Sequence, residues 1–209
     1  MGVTVKKSLL LLEFTLVFLC IPTAILLELI PIDKMRLLLI LALLFLTILL
    51  SDPAFKAAEI FSFRITNFPI RSIGIRFLVS SALLVLLSLV ISPQNFFSLP
   101  AGDPLLWLAT AVFYPLLSAL PQEILYRPFL FHRYRLLFST PKQLIIASTL
   151  SFSYMHIIFN NPIAVALTLI GGYFFSKTYA ASHSFWLVTL EHSAYGFIVF
   201  TVGLGDFFR

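Results

Sequence analysis

The sequence predicts an all-α polytopic membrane protein with an intramembrane cavity, and three observations support that fold class. Of its 209 residues, 60% are hydrophobic and 11% are charged, which is far too apolar for an ordinary soluble domain. The apolar residues occur in long runs, and a helix needs about 20 of them to cross a bilayer. Polar side chains recur at similar depths in three of those runs. We therefore expect a single integral membrane domain over residues 1–209.

The apolar runs predict about seven transmembrane helices in chain order. They lie at about residues 9–30, 36–51, 73–92, 104–132, 143–160, 163–181 and 184–204. The first run resembles a signal peptide, but the sequence after Cys20 is again apolar and lacks a small-residue cleavage site, which favours a retained helix. Because Cys20 is the only cysteine, no internal disulfide can form.

The distribution of basic residues predicts the orientation of these helices. If seven helices alternate sides, the loops on the N-terminal side hold Lys6, Lys7, Lys56, Arg64, Arg71, Arg133, Arg135, Lys142 and Lys177. The opposite side holds only Lys34, Arg36 and Arg209. The positive-inside rule then predicts a cytoplasmic N-terminus, and we expect a bacterial inner membrane. The basic residues are scattered, so we expect the lipid bilayer and no nucleic acid as a partner.

The segment from Asp52 to Arg76 combines basic residues with four phenylalanines, Phe55, Phe61, Phe63 and Phe68. This composition is typical of a segment that lies on an anionic leaflet. A plain solvated connector fits the same residues equally well.

The fourth run is longer than a bilayer requires. Residues 104–132 would extend about 43 Å as a helix, against a hydrocarbon core of roughly 30 Å. Pro115, Pro121 and Pro128 each remove an amide donor, so we expect this helix to kink or to project beyond the core. Pro121 would free a carbonyl near residue 117, immediately before a polar pair.

That polar pair opens the stretch PQEILYRPFLFHRYR, which starts at Pro121. Glu123 and Arg127 stand at i and i+4, which predicts a salt bridge on one helical face. Gln122 points about 100° away around the helix, so Gln122 and Glu123 cannot both face one cavity squarely. Ionisable side chains at membrane depth are costly and often mark functional sites.

Two later runs place histidines at a comparable depth. His156 lies in SFSYMH on the fifth predicted helix, and Glu191 and His192 lie in LEHSAYG on the seventh. We expect the fifth helix to stop at Asn160–Asn161–Pro162. One acidic residue and two histidines from three helices favour a joint function over packing alone, because each is costly to insert.

The chemistry that suits this group is hydrolysis of a peptide bond without a covalent intermediate. A buried carboxylate such as Glu123 can act as general base toward water, while the two imidazoles donate hydrogen bonds to an oxyanion. Two histidines and a glutamate also suit zinc, but the HExxH spacing is absent, so we predict no metal and no cofactor. Ser151, Ser153 and Ser193 adjoin the group, although none lies in a GxSxG elbow.

Taken together, QExxxR, FxxxH and a later histidine after Ser-Phe-Trp resemble the CPBP family of intramembrane proteases. This family includes the CAAX prenyl endopeptidase Rce and the bacterial abortive-infection-like proteins, and the resemblance covers residues 100–204. It implies a helical membrane fold with a conical cavity open to the cytoplasm. In that cavity a glutamate activates water, and two histidines and an asparagine complete the site.

The motifs of this family map onto seven positions of the chain. Its EExxxR falls on Gln122, Glu123 and Arg127, its FxxxH on Phe152 and His156, and its HxxxN on His192 and Gly196. Two positions depart from the pattern: Gln122 replaces the glutamate that is usually assigned to water activation, and Gly196 replaces the asparagine. Asn160 or Asn161 offers a substitute for that asparagine, although we favour a helix stop there.

Because a glutamine cannot accept a proton at neutral pH, Gln122 leaves three accounts open. Glu123 has taken over as base, an engineered Glu→Gln change is present, or the protein binds peptides without cleaving them. We favour the first account, with Glu191 as a reserve acid. The predicted function is an intramembrane endopeptidase whose peptide substrate arrives from the cytoplasm or the bilayer. The alternatives are an inactive peptide-binding or immunity-type module and, less favoured, a proton-coupled transporter.

Overall fold

The computed structural model describes residues 3–61 and 70–208, and this part of the chain is helical without strands. The all-α prediction is confirmed. The first helix, α1, consists of the α-helical parts Val3–Thr15 and Ile21–Leu26 with a π-helical turn, Leu16–Cys20, between them. The others are α2 (Lys34–Ser51), α3 (Ala58–Phe61), α4 (Ile70–Ile91), α5 (Ser98–Gly102), α6 (Pro104–Arg133), α7 (Pro141–Met155), α8 (Pro162–Ser182) and α9 (Phe185–Thr201). Short 3₁₀ turns lie at Pro93–Asn95, His156–Phe159 and Gly205–Phe208.

Five of these helices are long and apolar enough to cross a membrane, which makes the protein an integral membrane protein. They are α1, α2, α4, α6 and α8. The other two predicted spans correspond to α7 with 15 residues and α9 with 17 residues, each shorter than a typical spanning helix. The number seven therefore stays a prediction.

The helices that carry the polar residues begin at side-chain caps. Before α6, Asp103 accepts a hydrogen bond of 2.9 Å from an amide of the first turn. Before α7, Thr140 and Gln143 form a reciprocal capping box. Ser184 caps α9 with a bond of 3.3 Å. Each cap satisfies a helix-end amide and contributes about 1 kcal/mol.

The predicted helix stop after His156 is confirmed. A 3₁₀ turn ends at Phe159, and Asn160 then adopts the left-handed conformation with φ 49°. Asn161 accepts a hydrogen bond of 2.9 Å from the amide of Ile163 and so caps α8, whose first residue is Pro162. Asn160 and Asn161 therefore end one helix and start the next.

The long helix α6 runs without interruption through 30 residues. Pro115 and Pro128 lie in two π-helical turns, Pro115–Ala119 and Leu125–Phe129, and Pro121 lies in the α-helical turn between them. The amide of Leu120 donates to the carbonyl of Pro115, five residues earlier, as expected of a π turn. Such turns accommodate missing amide donors and commonly occur at functional sites. The expected kink or projecting end stays a prediction.

Aromatic side chains form the core that holds α6 against α1, α2, α7 and α8. Phe18, Phe129, Phe152 and Phe175 are at most 3% exposed. Gly172 of α8 allows the close approach to α7, because a Cβ there would lie 2.9 Å from Cδ1 of Phe152. This contact fixes the Phe152 ring, which lies in the middle of the candidate site.

The basic aromatic segment after α2 is only partly described. Phe55 is buried, and its ring centroid lies 5.1 Å from that of His132. This side chain therefore packs inside the protein. Phe63, Arg64 and Phe68 lie outside the described residues, so the leaflet and connector interpretations both stay open for them.

Candidate active site

The carboxylate of Glu123 is the centre of the polar group and has no exposed surface. Its Oε2 forms an ion pair of 2.9 Å with Nε of Arg127, which confirms the predicted salt bridge. Its Oε1 lies 2.8 Å from Nδ1 of His192 on α9. Both carboxylate oxygens are thus engaged by protein groups, one from its own helix and one from a neighbouring helix.

Arg127 is equally buried and is fixed by several contacts. Its guanidinium donates hydrogen bonds to the hydroxyl of Ser148 and, at 3.3 Å, to the carbonyl of Tyr126. The guanidinium carbon lies 5.3 Å from the ring centroid of Phe152 and 5.9 Å from that of Phe175. A buried cation needs such compensation, and aromatic faces provide part of it. Arg127 therefore anchors Glu123 from the side opposite His192.

His192 is held in one orientation by aromatic rings and two hydrogen bonds. The Phe175 ring stacks on it at 4.7 Å, and the Phe152 ring meets it edge-on at 5.5 Å. A carboxylate only accepts hydrogen bonds, so Nδ1–H donates to Glu123. In the neutral ring Nε2 then carries a lone pair. That atom lies 2.9 Å from the hydroxyl of Tyr114, which donates to it.

Tyr114 is a residue of the site that the sequence analysis missed. It lies on α6, nine residues before Glu123, and its ring lines the same cavity as His192. No motif contains it, and a single tyrosine in an apolar run gives no signal of its own. The available signal was indirect: Gly196 leaves space on α9 where the family pattern has an asparagine.

His156 lies at the end of α7, on the other side of the Phe152 ring. Its Nδ1–H donates to the carbonyl of Phe152 over 2.7 Å. Its ring centroid lies 4.8 Å from that of Phe152. The neutral ring therefore presents Nε2 as a hydrogen-bond acceptor. This differs from the expected donor role, which would require a protonated His156.

Gln122 and Glu123 face different surroundings, as their positions on the helix predict. Gln122 lines the cavity, and its Nε2–H donates to the hydroxyl of Ser118 over 2.8 Å. Its Oε1 is buried and has no hydrogen-bond partner among the described residues. Glu123 does not line the cavity. Direct activation of water by Glu123 does not fit this geometry, because both its oxygens are engaged and enclosed.

Glu191 does not fit the expected role of a reserve acid. Its buried carboxylate forms an ion pair with Arg76 of α4, which is partly exposed. The same guanidinium donates to the hydroxyl of Thr178 over 2.8 Å and lies 4.7 Å from the ring centroid of Phe174. Successive helical residues point about 100° apart, so His192 faces the cavity and Glu191 faces away from it.

A large cavity adjoins these residues, as the fold prediction requires. Its volume is about 980 Å³, at the upper end of the usual range for ligand sites. Most of its wall consists of aliphatic and aromatic side chains from α1, α2, α4, α6, α7, α8 and α9. The polar groups discussed above, on Tyr114, Gln122, His156 and His192, lie on this wall. Such a cavity suits an apolar ligand with a few directed polar contacts.

Neither the serines that adjoin the site in sequence nor a metal-ligand group is part of the cavity wall as the structure describes it. Ser153 donates to the carbonyl of Val165 and Ser193 to that of Thr189, and neither they nor Ser151 line the cavity. Within residues 3–61 and 70–208, no three His, Cys, Asp or Glu side chains are grouped so that they could hold a metal ion.

The fold and site together define a helical membrane protein with a carboxylate–histidine pair beside an intramembrane cavity. Residues 103–198 match the family model described as type II CAAX prenyl endopeptidase Rce1-like. This segment runs from the cap of α6 into α9 and contains all the site residues predicted from the sequence. The match confirms the resemblance to the CPBP and CAAX protease family. No curated protein and no solved structure matches the chain.

Proposed function

We propose that this protein is an intramembrane endopeptidase that hydrolyses a peptide bond within an apolar polypeptide segment. The observation that carries the proposal is the buried pair formed by Glu123 and His192 at the wall of the large cavity. A protease family supplies the general class of reaction. The mainly apolar wall suits a hydrophobic stretch of a protein substrate.

In this proposal the base is the imidazole of His192, and Glu123 acts as its positioning residue. The carboxylate holds Nδ1–H, so Nε2, which accepts a hydrogen bond from the Tyr114 hydroxyl, is the atom that takes up a proton. Once Nε2 is protonated, the imidazolium lies 2.8 Å from a carboxylate that stabilises its charge. In other hydrolases with a carboxylate–histidine pair, the carboxylate likewise orients the imidazole and stabilises its protonated form. Glu123 therefore contributes to catalysis without touching water.

His156 and Gln122 position the attacking water. Nε2 of the neutral His156 and Oε1 of Gln122 are both acceptors beside the cavity, so either can accept a hydrogen bond from one O–H of the water while the other O–H stays available for proton transfer. The water oxygen attacks the carbonyl carbon, and its proton passes to His192. When the C–N bond breaks, that proton goes to the leaving nitrogen. Gln122 thus binds water in a position where the family pattern has a proton acceptor.

The substrate reaches the cavity from the bilayer or the cytoplasm. Several lining residues of α4 and α6 are also on the outer surface, including Leu83, Val90 and Phe113 at 60%, 79% and 57% exposure. The wall of the cavity is therefore continuous with surfaces that face lipid. The orientation with a cytoplasmic N-terminus, inferred from the basic loops, remains part of this proposal.

A comparison of protein N-termini by mass spectrometry tests the proposal. Membranes and medium are taken from cells that carry the wild type, His156→Ala, His192→Ala or Tyr154→Phe at matched abundance. Tyr154 is the control. Its hydroxyl forms a hydrogen bond of 2.9 Å with the hydroxyl of Thr23, and neither residue lines the cavity. We expect one small set of termini to disappear in both histidine variants and to persist in Tyr154→Phe. Identical profiles in all four strains would refute the proposal.

A second candidate function is a peptide-binding or immunity-type module that does not cleave. The observation that favours it is Gln122, which lines the cavity at the position where the resemblance implies the water-activating glutamate. Gln122→Glu separates the two candidates. If the protein is a protease, Gln122→Glu should form the same termini faster, on the order of tenfold, because the variant gains a base that faces the cavity. A pure binding module predicts the same terminal profile with either residue.

A further inference from the structure

The hydroxyl of Tyr114 is hydrogen-bonded to the basic atom of His192. The phenol oxygen lies 2.9 Å from Nε2, while Nδ1 is taken by Glu123. The Phe175 ring stacks on the imidazole at 4.7 Å, and the Phe152 ring lies nearly perpendicular to it at 5.5 Å. The single lone pair of Nε2 is therefore engaged by the phenol, and a water molecule that reached Nε2 directly would have to displace this hydroxyl.

We propose that Tyr114 is a catalytic residue that relays the proton between the attacking water and His192, and that Gly196 is the position that admits its ring. The inference rests on the proposed function, because it assigns the path by which the His192 base is reached. It adds a residue that lies outside every motif of the sequence.

Gly196 provides the independent observation. A Cβ at this position would lie 2.1 Å from Cε1, 2.3 Å from Cζ and 2.4 Å from the hydroxyl oxygen of Tyr114. Contacts below 3.0 Å cannot be accommodated, so any side chain at residue 196 must displace the phenol. The edge of Phe200 contacts the same ring at a centroid distance of 5.4 Å. Gly196 and Phe200 of α9 thus form the packing site of the Tyr114 ring.

The proton transfers balance without a further reactant. As the water oxygen bonds to the carbonyl carbon, its O–H bond breaks and the proton goes to the phenol oxygen. The phenol proton moves at the same time to Nε2 of His192, and the carbonyl π electrons move to its oxygen. When the C–N bond breaks, Tyr114 protonates the leaving nitrogen and regains a proton from His192. Both side chains end as they began.

Tyr114→Phe tests the relay because it removes only the hydroxyl and keeps the ring on Gly196. The substrate is a quenched fluorescent peptide that contains the cleavage site found in the comparison of N-termini. We expect kcat to fall about 100-fold with KM within twofold, as for the loss of a proton-transfer group. Tyr154→Phe, which also loses one tyrosine hydroxyl, should leave both constants unchanged.

A chemical measurement tests the same contact without any substrate. Diethyl pyrocarbonate modifies the free nitrogen of neutral imidazoles, and peptide mass spectrometry follows its reaction at His192. Because the phenol covers Nε2, we expect His192 to react severalfold faster in Tyr114→Phe than in the wild type or Tyr154→Phe. Equal rates in all three would overturn the inference.

Gly196→Ala tests whether the packing of the Tyr114 ring against residue 196 is needed for turnover. Its methyl group should displace the phenol and lower kcat about as much as Tyr114→Phe does. In the Tyr114→Ala background the ring is absent, so Gly196→Ala should cause no further loss. If Tyr114→Phe cleaves normally while His192→Ala does not, the relay is wrong and the proposed function stands. If His192→Ala also cleaves normally, both are wrong.

Discussion

Two glutamate–arginine pairs in the described part of the chain have a buried glutamate, and one of these two pairs is connected to the cavity. Glu123 and Arg127 lie one turn apart on α6, and both side chains are 0% exposed. Glu191 and Arg76 join α9 to α4, with side-chain exposures of 1% and 20%. Glu123 also holds a histidine on the cavity wall, whereas Glu191 does not line the cavity. The connection to an imidazole, rather than the ion pair itself, distinguishes the candidate site.

The comparison also explains why proximity along the chain misled the sequence analysis. Glu191 is the immediate neighbour of His192, yet the histidine binds Glu123, which is 69 residues away. A helix separates successive side chains by about 100°, so neighbours face different surroundings. An acid one position from a histidine is therefore poorly placed to assist it on the same helix face.

Removing the arginine of each pair should give the largest difference in stability. Arg127→Met leaves the Glu123 charge buried without its cation, which typically costs about 3–5 kcal/mol. Arg76→Met should cost less, because Arg76 is partly exposed and water can screen the remaining charge. Membrane abundance and the thermal unfolding midpoint in detergent provide the measurement. Glu123→Gln/Arg127→Met should recover part of the loss, and equal midpoints for the two single variants would contradict this interpretation.

Replacing the glutamate of each pair should give the clearest difference in turnover. In Glu123→Gln the amide oxygen can still accept from Arg127, so the amide N–H₂ faces His192. That arrangement moves the imidazole proton to Nε2 and removes the base. We expect turnover per folded molecule to fall at least about 100-fold.

Glu191→Gln is the matched control for that substitution, because its carboxylate does not line the cavity. Its turnover per folded molecule should stay within about twofold of the wild type, as only ground-state packing changes. Cleavage of the same fluorescent peptide by both purified variants provides the measurement. A comparable loss in the two variants would mean that Glu191 also contributes to the reaction.

Much of the fold could be predicted because it depends on local sequence. The stop at Asn160–Asn161–Pro162 follows from the residue types at the end of an apolar run. The salt bridge of Glu123 with Arg127 follows from i, i+4 spacing within one helix. These features need no knowledge of how the helices pack.

The connections between helices could not be predicted from the sequence. The rotation of α9 against α6 decides that His192 meets Glu123 and Tyr114, and this rotation depends on packing of many side chains at once. Gly196 is the one local sign of that packing, because its missing side chain leaves room for the Tyr114 ring. Sequence spacing alone gives no measure of such room.

Ser148 offers the smallest and most specific test of how the Arg127–Glu123 pair is held. Its hydroxyl is 0% exposed, donates to the carbonyl of Tyr126 over 2.7 Å and accepts from Arg127. Ser148→Ala removes these bonds but leaves Arg127 its ion pair, so we expect a cost of about 1 kcal/mol. The unfolding midpoint in detergent measures that cost, and Thr47→Ala on α2, whose exposed hydroxyl bonds only its own helix, is the control. If Ser148→Ala lowers turnover per folded molecule as much as Glu123→Gln does, Arg127 must position Glu123 for catalysis as well as neutralise its charge.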